Sequence, residues 1–346
     1  MKKVICLVSE EYPEETNFGG IATYNKQMAN LLKDSGYKVI VLTRSLKNNR
    51  QIIDNNITVI RIKPYLKKVN FLEKLIGYRL SVYKNLKDII KKYNVDIIES
   101  PDWKGELFFF FLLRKYKKIP TVIRLHGCRA IIRKYDRNQL TFGDKIVIAI
   151  EKYILKRTEY ITSSSFENLK ETEDVLGISI NDKSTIIHNF LDDSISRMEI
   201  DTDKKKRILL FVGRLDYLKG IFTIIDIIPD ICNKYKNVIF KFVGKDSYNS
   251  KMNDYNSKLM IQKVPEIYRK NIEIVGAVPK EKVNEYYSEA YATITPSYYE
   301  SFSYTCIESM YQGTPVIGSS NGGIKEIIKD KKDGLLFNPL DSSDLY

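Results

Sequence analysis

The sequence predicts an α/β protein of two tandem domains, each a parallel sheet covered by helices. Three observations carry that expectation. Short β-rich runs alternate with amphipathic stretches along the whole chain, the pattern of parallel strands joined by crossover helices. A polar stretch, 192–206, interrupts the alternation once, after which it restarts. The 346 residues are enough for two domains at roughly 100–200 residues each. The boundary is placed so that the domains span residues 1–195 and 196–346.

In the first half, strands are expected at 4–8, 39–42, 58–62, 96–99, 121–125, 160–163 and 185–188. Between the first two, Ile21, Tyr24, Met28, Leu31 and Leu32 recur at helical spacing, and Lys33-Asp34-Ser35-Gly36 ends that helix on glycine. In the second half, strands are expected at 207–212, 238–243, 272–275, 292–295 and 315–318, with a last short one at 334–337. Open α/β sheets bind ligands off the carboxyl ends of their strands, so the loops that follow these runs are where chemistry is sought.

Composition narrows the class. Hydrophobic residues at 43% and charged residues at 29% can bury cores and exclude a disordered or collagen-like chain. Cys6, Cys128, Cys232 and Cys306 are too far apart for a CxxC pair and read as thiols in a reducing compartment. The apolar run after Met1-Lys2-Lys3 ends at Val8, which suits a strand and not a signal peptide. The longest apolar run, from Leu107 to Leu113, falls far below the roughly 20 residues that cross a bilayer. Net charge is +13, and it is uneven: residues 1–200 carry 35 basic and 24 acidic side chains, the remainder 21 and 19. A basic first half suits nucleic acid, an anionic membrane, an acidic substrate or simply a lysine-rich solvated surface, and charge alone does not choose. No helix-turn-helix, zinc-ligand spacing or RNA-binding aromatic signature accompanies it, so nucleic acid is not the expected partner.

Two loops of the second half carry chemistry. After the expected strand at 207–212 comes Gly213-Arg214-Leu215-Asp216-Tyr217-Leu218-Lys219-Gly220. Two cations in a glycine-bounded loop that opens a helix form a diphosphate site, since the helix N-terminus adds partial positive charge. The order GxxxxGK[ST] of a Walker A loop is absent. The plainer reading is a pair of exposed basic residues at a helix start. After the expected strand at 292–295, Glu300 falls in the loop and Glu308 about five residues inside the next helix, roughly 7–8 Å along its axis. Such a pair can accept hydrogen bonds from a sugar on one side and a ribose on the other. Taken alone, it can equally be a pair of surface carboxylates.

With Gly213-Arg214, Lys219-Gly220 and Glu300-x7-Glu308 stand Gly313-Thr314-Pro315-Val316-Ile317-Gly318 and Gly322-Gly323-x-x-Glu326. Gly19-Gly20 follows the first expected strand, and His126-Gly127 follows the one at 121–125. In this order the set resembles the retaining glycosyltransferases of family 4, over nearly the whole chain. The resemblance implies the glycosyltransferase B fold, two Rossmann-like domains facing a cleft. It also implies transfer of a sugar from a nucleotide-sugar donor to a glycan or lipid-linked acceptor, without metal or cofactor. It makes Arg214 and Lys219 the cations on the leaving diphosphate, Glu308 the partner of the ribose and Glu300 that of the transferred sugar. The backbone around Ser301, Phe302 and Ser303 would face the phosphate or hexose, and that of Val278 the nucleobase. His126 would approach the sugar from the first domain, and Gly19 and Gly20 would let the backbone close on donor or acceptor, although a tight turn explains them as well. The catalytic set so implied is His126, Arg214, Lys219 and Glu300; His188 is read as structural.

Three departures from the family pattern stand out. Its common Glu-Gly-Phe-Gly is here Glu300-Ser301-Phe302-Ser303, which removes two residues able to take positive φ and predicts an altered donor loop. Its Gly-x-Gly is here Gly244-Lys245-Asp246. The family's final helix, which crosses back onto the first domain, is expected to be missing because the sequence stops at Tyr346, with weaker domain coupling as the consequence.

Basic amphipathic stretches run from Lys67 to Tyr93 and through Arg114, Lys115, Lys117, Lys118, Arg129, Arg133, Lys134 and Arg137. They predict peripheral association with the inner face of the cell membrane, at about 1 kcal/mol per Lys or Arg near anionic lipid. An ordinary helix with its core stripe is the competing reading. Asp201-Thr202-Asp203 matches a metal-binding DxD but lies in the polar linker and is discounted. The expected activity is a cytoplasmic glycosyltransferase of bacterial surface polysaccharide synthesis. A sugar-nucleotide epimerase of the same fold and a non-catalytic nucleotide-sugar-binding protein are the alternatives; a phosphorylase would need a pyridoxal phosphate lysine motif that is not apparent.

Overall fold

A computed structural model of the protein describes residues 2–16, 19–64, 73–113, 116, 118–136, 139–191, 197–198 and 207–346. Most of the polar linker at 192–206, including Asp201-Thr202-Asp203, lies outside them, as do Lys67, Lys68, Arg114, Lys115, Lys117 and Arg137. The chain divides into two compact units, Met1–Asn189 and Phe190–Tyr346.

The first unit is built on an eight-stranded sheet: β1 (Val4–Ser9), β2 (Lys38–Arg44), β3 (Arg50–Asp54), β4 (Ile57–Ile62), β5 (Ile97–Pro101), β6 (Thr121–Leu125), β7 (Tyr160–Ser163) and β8 (Ser184–Ile186). Their order is β3-β4-β2-β1-β5-β6-β7-β8, parallel throughout except where β3 pairs antiparallel with β4. β1 is buried along its whole length and β2 nearly so, which is why both read as unbroken apolar runs. The expected first helix spans Gly20–Asp34, and Gly36 follows it at φ 87°. The unexpected strand is β3, whose Ile52 and Ile53 are exposed and show no buried alternation. It pairs because Asn55 and Asn56 both take positive φ, 46° and 63°, the geometry of a tight hairpin turn.

The second unit carries a six-stranded parallel sheet of β9 (Ile208–Val212), β10 (Ile239–Val243), β13 (Ile272–Gly276), β14 (Ala292–Thr295), β15 (Val316–Ser319) and β16 (Leu335–Phe337), in the order β13-β10-β9-β14-β15-β16. A two-residue-per-strand hairpin, β11 (Tyr248–Asn249) with β12 (Asp254–Tyr255), stands apart from it. The helix Ile221–Lys234 buries Ile221, Ile224, Ile225 and Ile228 against Phe240 and Phe242 of the sheet, the main core of this unit.

Each sheet reverses its winding once, between β1 and β5 in the first unit and between β9 and β14 in the second. At such a switch point the loops leave in opposite directions and open a crevice off the strand ends.

Candidate active site

In the second unit the switch point is flanked by the loop after β9, ending at Gly220, and the loop after β14, from Pro296 to Ser303. The two are pressed together. Gly220 has φ 69°, and a Cβ on it would sit 1.9 Å from the Pro296 carbonyl oxygen, so only glycine fits. The Tyr298 amide donates to the Leu218 carbonyl at 2.9 Å, and the Tyr217 and Tyr298 rings lie 4.8 Å apart. The loop after β10 packs as closely, since a Cβ on Gly244 would lie 1.8 Å from the Gly213 oxygen.

Within the first loop Asp216 organises both cations. Its carboxylate accepts from the Lys219 amide at 3.0 Å and pairs with the Arg214 guanidinium at 3.0 Å. That leaves the Arg214 side chain half exposed. The Lys219 ammonium reaches across to Glu300 Oε1 at 2.5 Å, where the Ser297 hydroxyl also donates at 2.8 Å. The Glu300 backbone is strapped from behind: the Gly323 amide donates to its carbonyl at 2.8 Å, and a Cβ on Gly322, at φ 68°, would sit 2.2 Å from the same oxygen. This accounts for the Gly322-Gly323 pair in the sequence.

Glu308 is the fifth residue of the helix Tyr304–Tyr311, with a side chain 12% exposed. Burial raises its carboxyl above the usual range, and the Lys280 ammonium at 3.3 Å and the Tyr287 hydroxyl at 3.3 Å partly oppose that. Lys280 and Tyr287 both come from the helix Lys280–Glu289, and sequence reasoning missed them because no local spacing ties them to Glu308. Val278, just before that helix, packs against the buried cluster that contains Ile208, Leu210 and Tyr287. Ser303 does not replace a positive-φ glycine. Its φ is −110°, and its hydroxyl caps the helix by accepting from the Cys306 amide at 3.3 Å; Ser301 also avoids positive φ. Phe302 lies with its ring 6.4 Å from that of Tyr304.

In the first unit, His126 follows β6. Its amide donates to Asp102 Oδ1 at 2.9 Å, and its ring meets Tyr24 edge-on at 4.9 Å. Burial first, and the Arg124 guanidinium second, hold the imidazole well below its usual range, so it is neutral at pH 7. Burial also lifts Asp102 to about 7 and Glu151, which accepts from the Lys104 and Arg129 amides, to about 8. Gly19 precedes the helix as N-cap with a φ of 161°, which is extended backbone, and a Cβ there would meet nothing within 4 Å. Gly20 is the first helical residue. His188 places Nδ1 2.8 Å from the Ser164 carbonyl oxygen, a structural contact.

Comparison with known proteins follows the two units. Residues 18–195 match the family described as Glycosyltransferase Family 4, and residues 192–346 match Glycosyl transferases group 1. The chain is 28% identical to an uncharacterized glycosyltransferase of Methanocaldococcus jannaschii, over 97% of this chain and 85% of that one. Among solved structures it is similar to the sucrose-phosphate synthase from Thermosynechococcus elongatus, with TM-score 0.78 at 23% identity over 99% of this chain and 88% of that one. It is also similar to HepE of Anabaena in complex with UDP-glucose, with TM-score 0.72 at 14% identity over 99% and 87% of the two chains.

Proposed function

The chain belongs to Glycosyltransferase Family 4, with a second half of the Glycosyl transferases group 1 type and the glycosyltransferase B fold; from that premise we propose a retaining transferase that takes its sugar from a nucleotide-sugar donor. The observation that carries this reading is the Lys219–Glu300 pair at the β9/β14 switch point, with the shielded carboxylate of Glu308 in the helix that follows. A donor diphosphate entering at the helix N-termini takes Lys219 and Arg214 as counterions and releases Glu300 to accept from sugar hydroxyls. Glu308 accepts from the ribose, and the backbone of Ser301, Phe302 and Ser303 faces the phosphates or hexose. Bond cleavage gathers negative charge on the departing nucleoside diphosphate, which these cations meet without a metal ion. Its phosphate then helps take the acceptor's proton on the same face, the sense of retention. The neutral His126 serves the sugar as a hydrogen-bonding partner, and Val278 offers its backbone to the base.

The acceptor in this reading is a glycan or lipid-linked glycan of bacterial surface polysaccharide, met at the cytoplasmic face of the membrane. Among the described residues no helix is long and apolar enough to cross a membrane, and the basic excess of residues 1–200 supports peripheral attachment. The test is a screen of nucleotide sugars for nucleoside diphosphate release, alone and with candidate acceptors. Release from one donor, lost in Lys219→Ala, supports the reading. No release and no binding with any donor overturns it.

A further inference from the structure

The first unit has its own switch point, between β1 and β5. Off the ends of β1, β2 and β5 lies a cavity of about 610 Å³, within the range of small-molecule sites. We propose that this cavity receives a phosphoryl group of the acceptor, as a phosphate ester or diphosphate, held by two cation pairs: Arg44 and Lys104, which share Glu10, and Arg129 and Arg133, which share Asp144. The word acceptor rests on the transfer reading above; the phosphate site does not.

Charge is the first argument. Among the described residues those four cations and Arg79 line the cavity with three carboxyl groups, Glu10, Glu106 and Asp144. Glu10 is shared between Arg44 and Lys104, and Asp144 pairs with Arg133 at 3.0 Å and Arg129 at 3.6 Å. Burial, then the neighbouring Glu10 carboxylate, push Glu106 well above the usual range. Asp136 is a further partner of Arg133, at 2.9 Å. Five cations therefore meet four carboxyl groups, one of them disfavoured as an anion by burial, and a doubly charged ligand offsets the positive excess that is left.

The second argument is unspent hydrogen bonding. The Tyr78 hydroxyl and Glu106 Oε2 both belong to buried residues on the cavity wall, and neither has a hydrogen-bond partner among the described residues. A phenol is a neutral donor, and burial disfavours the charge on the carboxyl beside it, so a phosphate oxygen suits this wall.

The third is strain. Lys104 sits at φ 61° and ψ −2°, a left-handed conformation that a side chain rarely adopts, and three partners hold it there. Its amide donates to Glu151 at 2.8 Å, its carbonyl accepts from Arg79 Nε at 2.9 Å, and its ammonium reaches Glu10 at 2.9 Å. The strained turn turns the Lys104 side chain to the cavity and carries Trp103 beside it.

Trp103 makes the proposal testable, because it is the chain's one tryptophan and lies 4.4 Å from the Arg129 guanidinium carbon and 5.7 Å from the Lys104 ammonium. Its emission therefore reports on this cavity. The whole protein is titrated at low salt with glucose 6-phosphate, with farnesyl phosphate and with glucose. A saturable change with either phosphate ester but not with glucose is expected, weakened at least roughly tenfold in Arg133→Gln and in Arg44→Gln, each checked for folding by circular dichroism. The two variants belong to different ion-paired clusters, so one that fails to fold leaves the other decisive. A response to glucose 6-phosphate assigns a soluble sugar phosphate; a response to farnesyl phosphate alone assigns a lipid-linked one. No saturable change, an equal response to glucose, or unchanged affinity in the folded variants overturns the proposal. Lys219→Ala, in the other unit, is expected to bind these esters as the native chain does. Ester binding with neither release from nor binding of any nucleotide-sugar donor would sink the transfer reading and spare the phosphate site.

Discussion

Lys219 and Glu300 pair across two loops, so in the proposed reading a donor exchanges one ion pair for another rather than meeting a bare cation. Removing a fixed cation from developing phosphate charge costs catalysis directly. Lys219→Ala is expected to lower kcat/KM for the donor by on the order of 100-fold, read by nucleoside diphosphate release. Glu308→Gln keeps the shape and removes the charge, and should raise the donor KM roughly tenfold in the same assay. Native rates in both variants would remove these residues from the site. Asp102 and Glu151 make a different prediction. Their folded values, about 7 and about 8, exceed the ordinary 3.8 and 4.5, so the folded chain keeps protons that the unfolded chain has lost. Their contribution to stability is thus full below about pH 4 and declines as pH rises towards 7–8. His126, depressed in the fold, contributes with the opposite slope below its ordinary 6.5. Comparison with Asp102→Asn and Glu151→Gln cancels that term: melting temperatures of both variants should fall less steeply than the native chain's between pH 5 and 8. Parallel curves would refute the assignment.

Among the elements, the helix Tyr304–Tyr311 shows how a family departure is absorbed. Glycine in the related pattern suggests positive φ, yet Ser303 sits at −110° and serves as N-cap. Ser303→Ala should therefore cost about 1 kcal/mol, while Ser303→Gly, the family's own residue, costs only a few tenths, measured by urea unfolding. A larger loss for glycine than for alanine would mean the cap is not what serine supplies. The parallel strands were legible because burial on both faces writes itself as apolar runs. β3 was not, since its isoleucines face solvent, and only the adjacent Asn55-Asn56 betrays the turn that makes it pair.

On the scale of the whole molecule, two units with separate sheets and cores should unfold as two. Residues 1–189 and 190–346, produced separately, are each expected to melt cooperatively. A nucleoside diphosphate that the intact chain binds should raise the melting temperature of the second piece only. Stabilisation of the first piece alone would move the donor site. The basic excess belongs to this scale as well. Sedimentation with phosphatidylcholine vesicles containing phosphatidylglycerol should carry the protein down at low salt and release it at high salt. Indifference to both lipid charge and salt would count against membrane attachment.

Amino-acid order alone dictates the alternation of strands and helices, the two-domain division and the glycine-bounded loops, because periodicity and backbone freedom are local properties of a chain. It also singled out Lys219, Glu300 and Glu308, not by their spacing alone but because their continuous motifs resemble those of a known family. Only folding decided that Lys280 and Tyr287 meet Glu308 and that Asp216 holds Arg214 aside. Folding alone also brought Arg44, Lys104 and Arg133 from three separate stretches to one cavity. Such groupings depend on which strands become neighbours at a switch point, and nothing in the residues' own surroundings in sequence records that.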